Sequence, residues 1–170
     1  MQTSFTDKQL LDKDNKSSES ILRKCVHCGM CNATCPTFCV NGEELEGPRG
    51  RIYLIKDMLE NKKPANKKIV KHIDSCLSCY SCMTTCPSGV NYMHLIDHGR
   101  NYVEETYKRP FLDRLFRNVL SFVLPRPKVF LALAYLSKLI KPFSFLLPTF
   151  LKNSLNLMPD KIPSKKIETQ

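Results

Sequence analysis

Eight cysteines in two matching blocks are the residues of this chain whose type and spacing can do chemistry. Cys25-Val26-His27-Cys28-Gly29-Met30-Cys31-Asn32-Ala33-Thr34-Cys35-Pro36 returns as Cys76-Leu77-Ser78-Cys79-Tyr80-Ser81-Cys82-Met83-Thr84-Thr85-Cys86-Pro87, and both copies read C-x2-C-x2-C-x3-C-P. Three thiolates two residues apart wrap three corners of one cubane iron-sulfur cluster. The fourth lies too far along to serve the same cube; in two-cluster proteins of this pattern it ligates the other cluster, and the proline turns the chain away. The spacing therefore predicts two 4Fe-4S clusters, one held by Cys25, Cys28, Cys31 and Cys86, the other by Cys76, Cys79, Cys82 and Cys35. Crossed ligation staples the two blocks together, which makes metal binding part of folding. Structural zinc is the competing use of eight thiolates, but zinc modules present two C-x2-C pairs joined by a longer loop, which fits this pattern poorly.

The remaining candidates read as bland. Cys39, outside both blocks, is expected to be a small buried side chain. His27 reads as a solvated loop residue, and His94 and His98, at i and i+4, as surface histidines, because the metalloprotease glutamate between them is missing. No nucleophile-base arrangement, phosphate-cradling glycine loop or dinucleotide fingerprint is present, so no catalytic residue is assigned. The chemistry left is one-electron relay between a flavin or similar two-electron centre and an acceptor.

Helices must position these cysteines. Residues 1–17 have no hydrophobic period and read as a frayed or weakly helical arm. Ile21 and Leu22 lead into the first block, and Gly47-Pro48-Arg49-Gly50 is turn chemistry. Ile52, Ile55, Met58 and Leu59 then share one face of a short helix over Arg51 to Asn61, stopped by Pro64. Ile69, Val70 and Ile73 lie on a second helix from Asn66 to Ser75 that delivers the second block, and a longer one runs from Asn91 to Tyr107. Strand signals are scarce. The expected fold is mainly α: a two-cluster domain over 18–108, then a helical, proline-broken basic tail over 109–170.

Charge separates the same two regions. Of 26 basic and 16 acidic residues in the 170-residue chain, 14 and 13 fall before Lys108, leaving 12 and three from Lys108 onward. The head is thus nearly neutral and the tail is +9. With about two negative charges on each oxidised four-thiolate cluster, the head becomes about −3. In the tail, Phe111, Leu115, Phe116, Val119, Leu120 and Val123 form an amphipathic helix opposite Arg114 and Arg117. Val129 to Ile140 is apolar on most sides, and Pro142 and Pro148 interrupt the chain beyond it. This pattern suits a partner subunit or a membrane surface, and it does not suit nucleic acid, because the cations are interleaved with bulky aliphatics and no recognition motif is present. The polar opening, with Asp7, Lys8, Asp12, Lys13, Asp14 and Lys16, does not resemble a secretory signal, so a cytoplasmic protein with reduced thiols is expected.

Further residues carry a family resemblance. Cys25 to Cys35 followed by Pro36-Thr37-Phe38, the stretch Glu43-Glu44-Leu45-Glu46-Gly47-Pro48-Arg49-Gly50-Arg51-Ile52-Tyr53-Leu54-Ile55-Lys56, the block Asp74 to Val90, and Arg109-Pro110 before the tail resemble the iron-sulfur subunits of bacterial glycolate oxidase (glycolate dehydrogenase). The resemblance covers about Arg23 to Pro142. It implies a helical ferredoxin-type domain with two 4Fe-4S clusters that accepts electrons from flavin-containing dehydrogenase subunits, which oxidise glycolate to glyoxylate, and passes them toward a membrane acceptor such as a quinone. Peripheral contact with the inner face of the cytoplasmic membrane would follow. The cysteine motifs alone also suit the related subunits of anaerobic glycerol-3-phosphate dehydrogenase, a lactate dehydrogenase-like complex or heterodisulfide reductase, or a free-standing dicluster ferredoxin. The family continues into cysteine-rich CCG repeats, whereas this sequence has no cysteine after Cys86, so the resemblance implies a truncated or a split subunit, with a separately encoded second half as the expected partner in the split case.

Overall fold

The structure, a computed structural model, describes residues 1–140. The chain divides into two compact units between Lys108 and Arg109. The first contains helices α1 (Asp7–Leu10), α2 (Lys13–Lys24), α3 (Pro36–Asn41), α4 (Pro48–Asn61), α5 (Lys67–Asp74), α6 (Ser81–Thr84) and α7 (Tyr92–Thr106), with single 3-10 turns at Met30–Asn32 and Glu44–Glu46. No strand occurs among the described residues. The mainly α class read from the sequence is what the chain adopts.

Local chemistry sets the helix ends. Asp12, Asn66 and Asn91 cap α2, α5 and α7 by accepting from the backbone N–H three residues on, at 3.1, 3.0 and 3.3 Å. Such caps each contribute about 1 kcal/mol. Pro48 occupies the first turn of α4, where its missing N–H costs nothing. The helix thus begins three residues earlier than the turn-like Gly47 to Gly50 suggested, and Arg49 and Gly50 are already helical. Gly50 is required there: a Cβ at this position would sit 2.3 Å from the Glu44 carbonyl oxygen.

Helices α4, α5 and α7 enclose the core, with Leu22 of α2 closing one side. Ile55, Met58, Ile73, Leu95 and Ile96 are fully buried, surrounded by Ile52, Leu59, Val70, Val90, Tyr92 and Val103. Burial of each large aliphatic contributes roughly 1.5–3 kcal/mol. Helices α4 and α7 approach closely where Gly99 faces Ile55; a Cβ on Gly99 would stand 2.9 Å from Ile55 Cγ1.

The opening residues depart from the expected frayed arm. Helix α1 is docked by Gln9, 5% exposed, whose amide donates to the carbonyls of Leu59 at 2.9 Å and Glu60 at 3.0 Å. Met1 and Phe5 pack on the core, and Thr3 donates to Glu19 at 2.8 Å. Polar side chains, invisible to a hydrophobic period, fasten this segment.

The second unit contains α8 (Phe111–Val123) and α9 (Pro127–Ile140). Along α8, Phe111, Leu112, Leu115, Phe116, Val119 and Leu120 share one side and all are exposed; Arg114, Arg117, Asn118 and Ser121 occupy the other. No single helix among the described residues is long and apolar enough to cross a membrane. The breaks expected at Pro142 and Pro148 lie outside the described residues.

Candidate metal centre

Both cysteine loops use one backbone design. The residue before the second cysteine is left-handed in each copy, His27 at φ 60° and Ser78 at φ 51°, and so is the residue after it, Gly29 at φ 83° and Tyr80 at φ 56°. A left-handed L-residue costs about 1–2 kcal/mol, so three non-glycines at such positions signal a constraint imposed by the site. The third cysteine of each block then rides a short helical turn, Cys31 on the 3-10 turn Met30–Asn32 and Cys82 on α6.

The loops close two neighbouring cavities. The first is lined by Cys25, Cys28, Cys31 and Cys86, and by Cys82 as well. Cys35, Cys76, Cys79 and Cys82 line the second. Each cavity thus gathers the first three cysteines of one block with the last cysteine of the other, and Cys82 reaches both. Pro48, Cys82 and Tyr92 line both and form the partition.

Equivalent residues of the two blocks also meet each other. Thr85 Oγ1 donates to Thr34 Oγ1 at 3.2 Å, and Cys31 and Cys82 are electrostatic neighbours. Self-contact between equivalent positions is the mark of a twofold relation, here between halves of one chain.

Thiol chemistry fits an iron-sulfur group in these cavities. Burial pushes the Cys31 thiol up to about 11, with Cys25, Cys86 and Cys28 adding to the rise. Burial likewise pushes Cys82 up to about 12, reinforced by Cys31, Cys76, Cys35 and Cys79. Four mutually repelling thiolates around one cavity need a multiply charged cation or cationic cluster among them, and a coordinating metal removes the thiol proton outright. Cys79 runs the other way: the backbone N–H and hydroxyl of Ser81 donate to its sulfur and lower it.

Beside the second cavity lies a buried polar network that the sequence reading missed. The Arg51 side chain is 1% exposed. Its Nη1 donates to Cys35 Sγ at 3.8 Å and its Nε to the His72 carbonyl at 2.7 Å. Nη2 serves Glu46 Oε2 at 2.9 Å, Thr37 Oγ1 at 3.0 Å and Ser75 Oγ at 3.0 Å. Glu46 also pairs with His72 Nδ1 at 2.8 Å and accepts a short bond from Ser75. Burial raises the Glu46 carboxyl, but Ser75, His72 and Arg51 outweigh it and hold the group below the usual carboxylate range. One signal for Arg51 was available: it lies four residues before Ile55 and one before Ile52, on the apolar face of α4. Tyr92 completes the second cavity, its hydroxyl donating to Cys76 Sγ at 3.7 Å, and burial keeps that hydroxyl protonated. From α7, Arg100 anchors the loop through Cys76 O and Ser78 Oγ, both at 2.7 Å.

The first cavity has a looser border. Arg49, paired with Glu44 at 2.6 Å, is about a third exposed, and His27 lines the cavity with Nε2 3.4 Å from the Arg49 carbonyl. His27 is therefore a wall residue rather than a solvated one. Cys39, expected to be buried, is exposed within the short helix α3, where its thiol donates to the Ala33 carbonyl at 3.4 Å. His98 is half-buried, not a surface residue: Nδ1 lies 2.7 Å from Ser18 Oγ, and burial lowers its pKa.

Comparison with known proteins identifies the region around these cavities. Residues 21–90 match the family model of the 4Fe-4S dicluster domain. The glycolate oxidase iron-sulfur subunit of Escherichia coli (strain K12) is 50% identical over 143 residues, covering 84% of this chain and 35% of that protein. The "Probable glycolate oxidase iron-sulfur subunit" of Bacillus subtilis (strain 168) is 31% identical over 117 residues, 66% of this chain and 26% of that one. One subunit of the H(2):CoB-CoM heterodisulfide,ferredoxin reductase of Methanothermobacter thermautotrophicus is 27% identical over 124 residues, 69% of this chain and 58% of that one. No solved structure gives a significant match. The chain spans about a third of the length of the Escherichia coli relative and about a quarter of the Bacillus one. Residues 21–90 are thus a 4Fe-4S dicluster domain, on a chain that is similar, over most of its own length, to the glycolate oxidase iron-sulfur subunits.

Proposed function

We propose that this chain is the electron-transfer iron-sulfur subunit of a glycolate-oxidising complex, taking electrons from flavin-containing partner subunits and passing them toward a membrane acceptor such as a quinone. The observation that carries the reading is the pair of cysteine-lined cavities with a common wall, on a chain half identical to a glycolate oxidase iron-sulfur subunit. Cys25, Cys28, Cys31 and Cys86 hold one 4Fe-4S cluster, and Cys76, Cys79, Cys82 and Cys35 hold the other. Bound in these cages, the clusters supply one-electron redox centres. The chain supplies the thiolates, the left-handed loop residues that aim them, apolar walls from Pro48, Ile52 and Val90 that limit water, and donors that set the charge felt at sulfur. Cys82 and Tyr92, lining both cavities, keep the two cages adjacent.

Substrate contacts then belong to the flavin-containing subunits. The second unit docks the head to those subunits, to a CCG-repeat portion of such a complex, and peripherally to the inner face of the cytoplasmic membrane. Support comes from the exposed apolar side of α8, the arginines opposite it and the +9 charge from Lys108 onward. A second reading, a subunit of a heterodisulfide reductase-like or other respiratory oxidoreductase, draws on the methanogen relative, more than half of whose length is matched.

Anaerobic co-purification with the products of neighbouring genes tests both. Iron and sulfide in the complex with glycolate-dependent dye reduction are expected. Reduction by lactate or glycerol 3-phosphate alone would move the chain to the second reading, and zinc without iron would end the cluster assignment. Flotation with anionic vesicles is expected for the membrane contact, and failure to float would remove it.

A further inference from the structure

The two cages are built alike in backbone but not in the hydrogen-bond donors they aim at sulfur. Two cysteines of the second cage each receive a side-chain donor from another residue: Cys35 from Arg51 Nη1 at 3.8 Å and Cys76 from the Tyr92 hydroxyl at 3.7 Å. Among the described residues, no side chain donates a hydrogen bond to the sulfurs of Cys25, Cys28, Cys31 or Cys86; the one side-chain hydrogen bond among them, Cys31 Sγ to Asn32 Oδ1 at 4.0 Å, has the oxygen as acceptor. Tyr92 and Arg51 have no counterparts, since they come from α7 and α4 outside the repeat.

A donor to a ligating sulfur stabilises the more negative, reduced state, and hydrogen bonds to sulfur are among the factors that set cluster potentials. We propose that Arg51 and Tyr92 are positioning residues that make the cage of Cys76, Cys79, Cys82 and Cys35 the higher-potential one, so that an electron entering the head comes to rest there. The step is an exchange of one electron between the two cages, one oxidised as the other is reduced, with no proton or further reactant.

Net charge does not decide the matter. The Arg51 cation is matched by Glu46 beside it, and Arg49, which faces Cys31 and Cys28, is matched by Glu44 and screened by solvent. Directed donors remain, and they lie on one side only. The inference rests on the two-cluster reading and deepens it by giving the relay a direction.

Anaerobic potentiometric titration of the loaded full chain, followed by electron paramagnetic resonance, tests it. Two one-electron waves are expected. Tyr92→Phe keeps the shape of the partition and removes one donor. It should lower the higher wave while leaving the lower in place, shifting the electron-sharing ratio about fivefold toward the first cage, the worth of one net hydrogen bond. Two waves with Tyr92→Phe moving only the lower one, or neither, would overturn the direction while leaving the clusters standing. Absence of any iron-sulfur signal in the wild type would instead overturn the underlying reading and the inference with it.

Discussion

The loops around Cys25 to Pro36 and Cys76 to Pro87 share spacing, left-handed torsions and a twofold contact, yet their surroundings are opposite. One borders an exposed ion pair, Arg49 with Glu44; the other borders the buried ion pair of Arg51 with Glu46, tied to His72, Ser75 and Thr37. Duplication of a ligand motif therefore copies the geometry that holds a metal group without copying the environment that tunes it. The environment comes from elements outside the repeat, chiefly α4 and α7.

The largest effect that can break this comparison is loss of the metal. Because each cavity joins cysteines from both blocks, stripping iron with a chelator should unfold the head as a whole rather than one loop. Circular dichroism in the helical region is the check, and a head that stays fully helical without iron would deny that the cages staple it.

Next comes the ion-pair contrast. Arg51→Met leaves Glu46 charged and buried without its cation and should cost about 3–5 kcal/mol in denaturant unfolding. The corresponding change on the other side, Arg49→Met, should alter stability little, since solvent reaches both partners. Equal losses from the two variants would mean that burial does not separate the borders.

A smaller test compares the loops themselves. Gly29→Ala forces an L-residue to φ +83° with its Cβ 2.8 Å from Arg49 Nη1. The torsion alone should cost about 1–2 kcal/mol. Tyr80 bears the same strain natively in the second loop, so Tyr80→Ala at that position should show no such torsional penalty beyond the contacts it loses.

The smallest effect is in pH. Glu46 is held below its ordinary value near 4.5, so the unfolded chain binds the proton first as pH falls. Its contribution is complete above that value and drains away as pH drops through the lowered folded one. Unfolding midpoints between about pH 6 and 3 should fall less steeply in Glu46→Gln than in wild type. An unchanged slope would show that Glu46 does not stay ionised in the folded head.

Much of this was legible in the sequence, for definite physical reasons. Thiolate spacing is dictated by the shape of the group it wraps, so Cys25 to Cys35 and Cys76 to Cys86 announce the site before any fold is known. Apolar periodicity placed α4, α5 and α7 to within three residues because their buried faces are continuous. The network of Arg51, Glu46 and His72 was hidden, since charged side chains read as solvated unless their partners converge from distant segments, here 26 residues apart for Glu46 and His72. The docking of residues 1–17 was hidden for the same reason: Gln9 reaches carbonyls fifty residues away. Cys39 misled in the opposite sense: a side chain of a usually buried type lies on the exposed side of α3.

Crossed ligation is the central claim, and four single variants test it most directly: Cys28→Ser, Cys86→Ser, Cys79→Ser and Cys35→Ser, each compared by electron paramagnetic resonance in the reduced full chain. The account predicts that Cys86→Ser perturbs the same signal as Cys28→Ser, and Cys35→Ser the same signal as Cys79→Ser. If Cys35→Ser instead pairs with Cys28→Ser, and Cys86→Ser with Cys79→Ser, each block holds its own cluster and the crossed architecture is wrong.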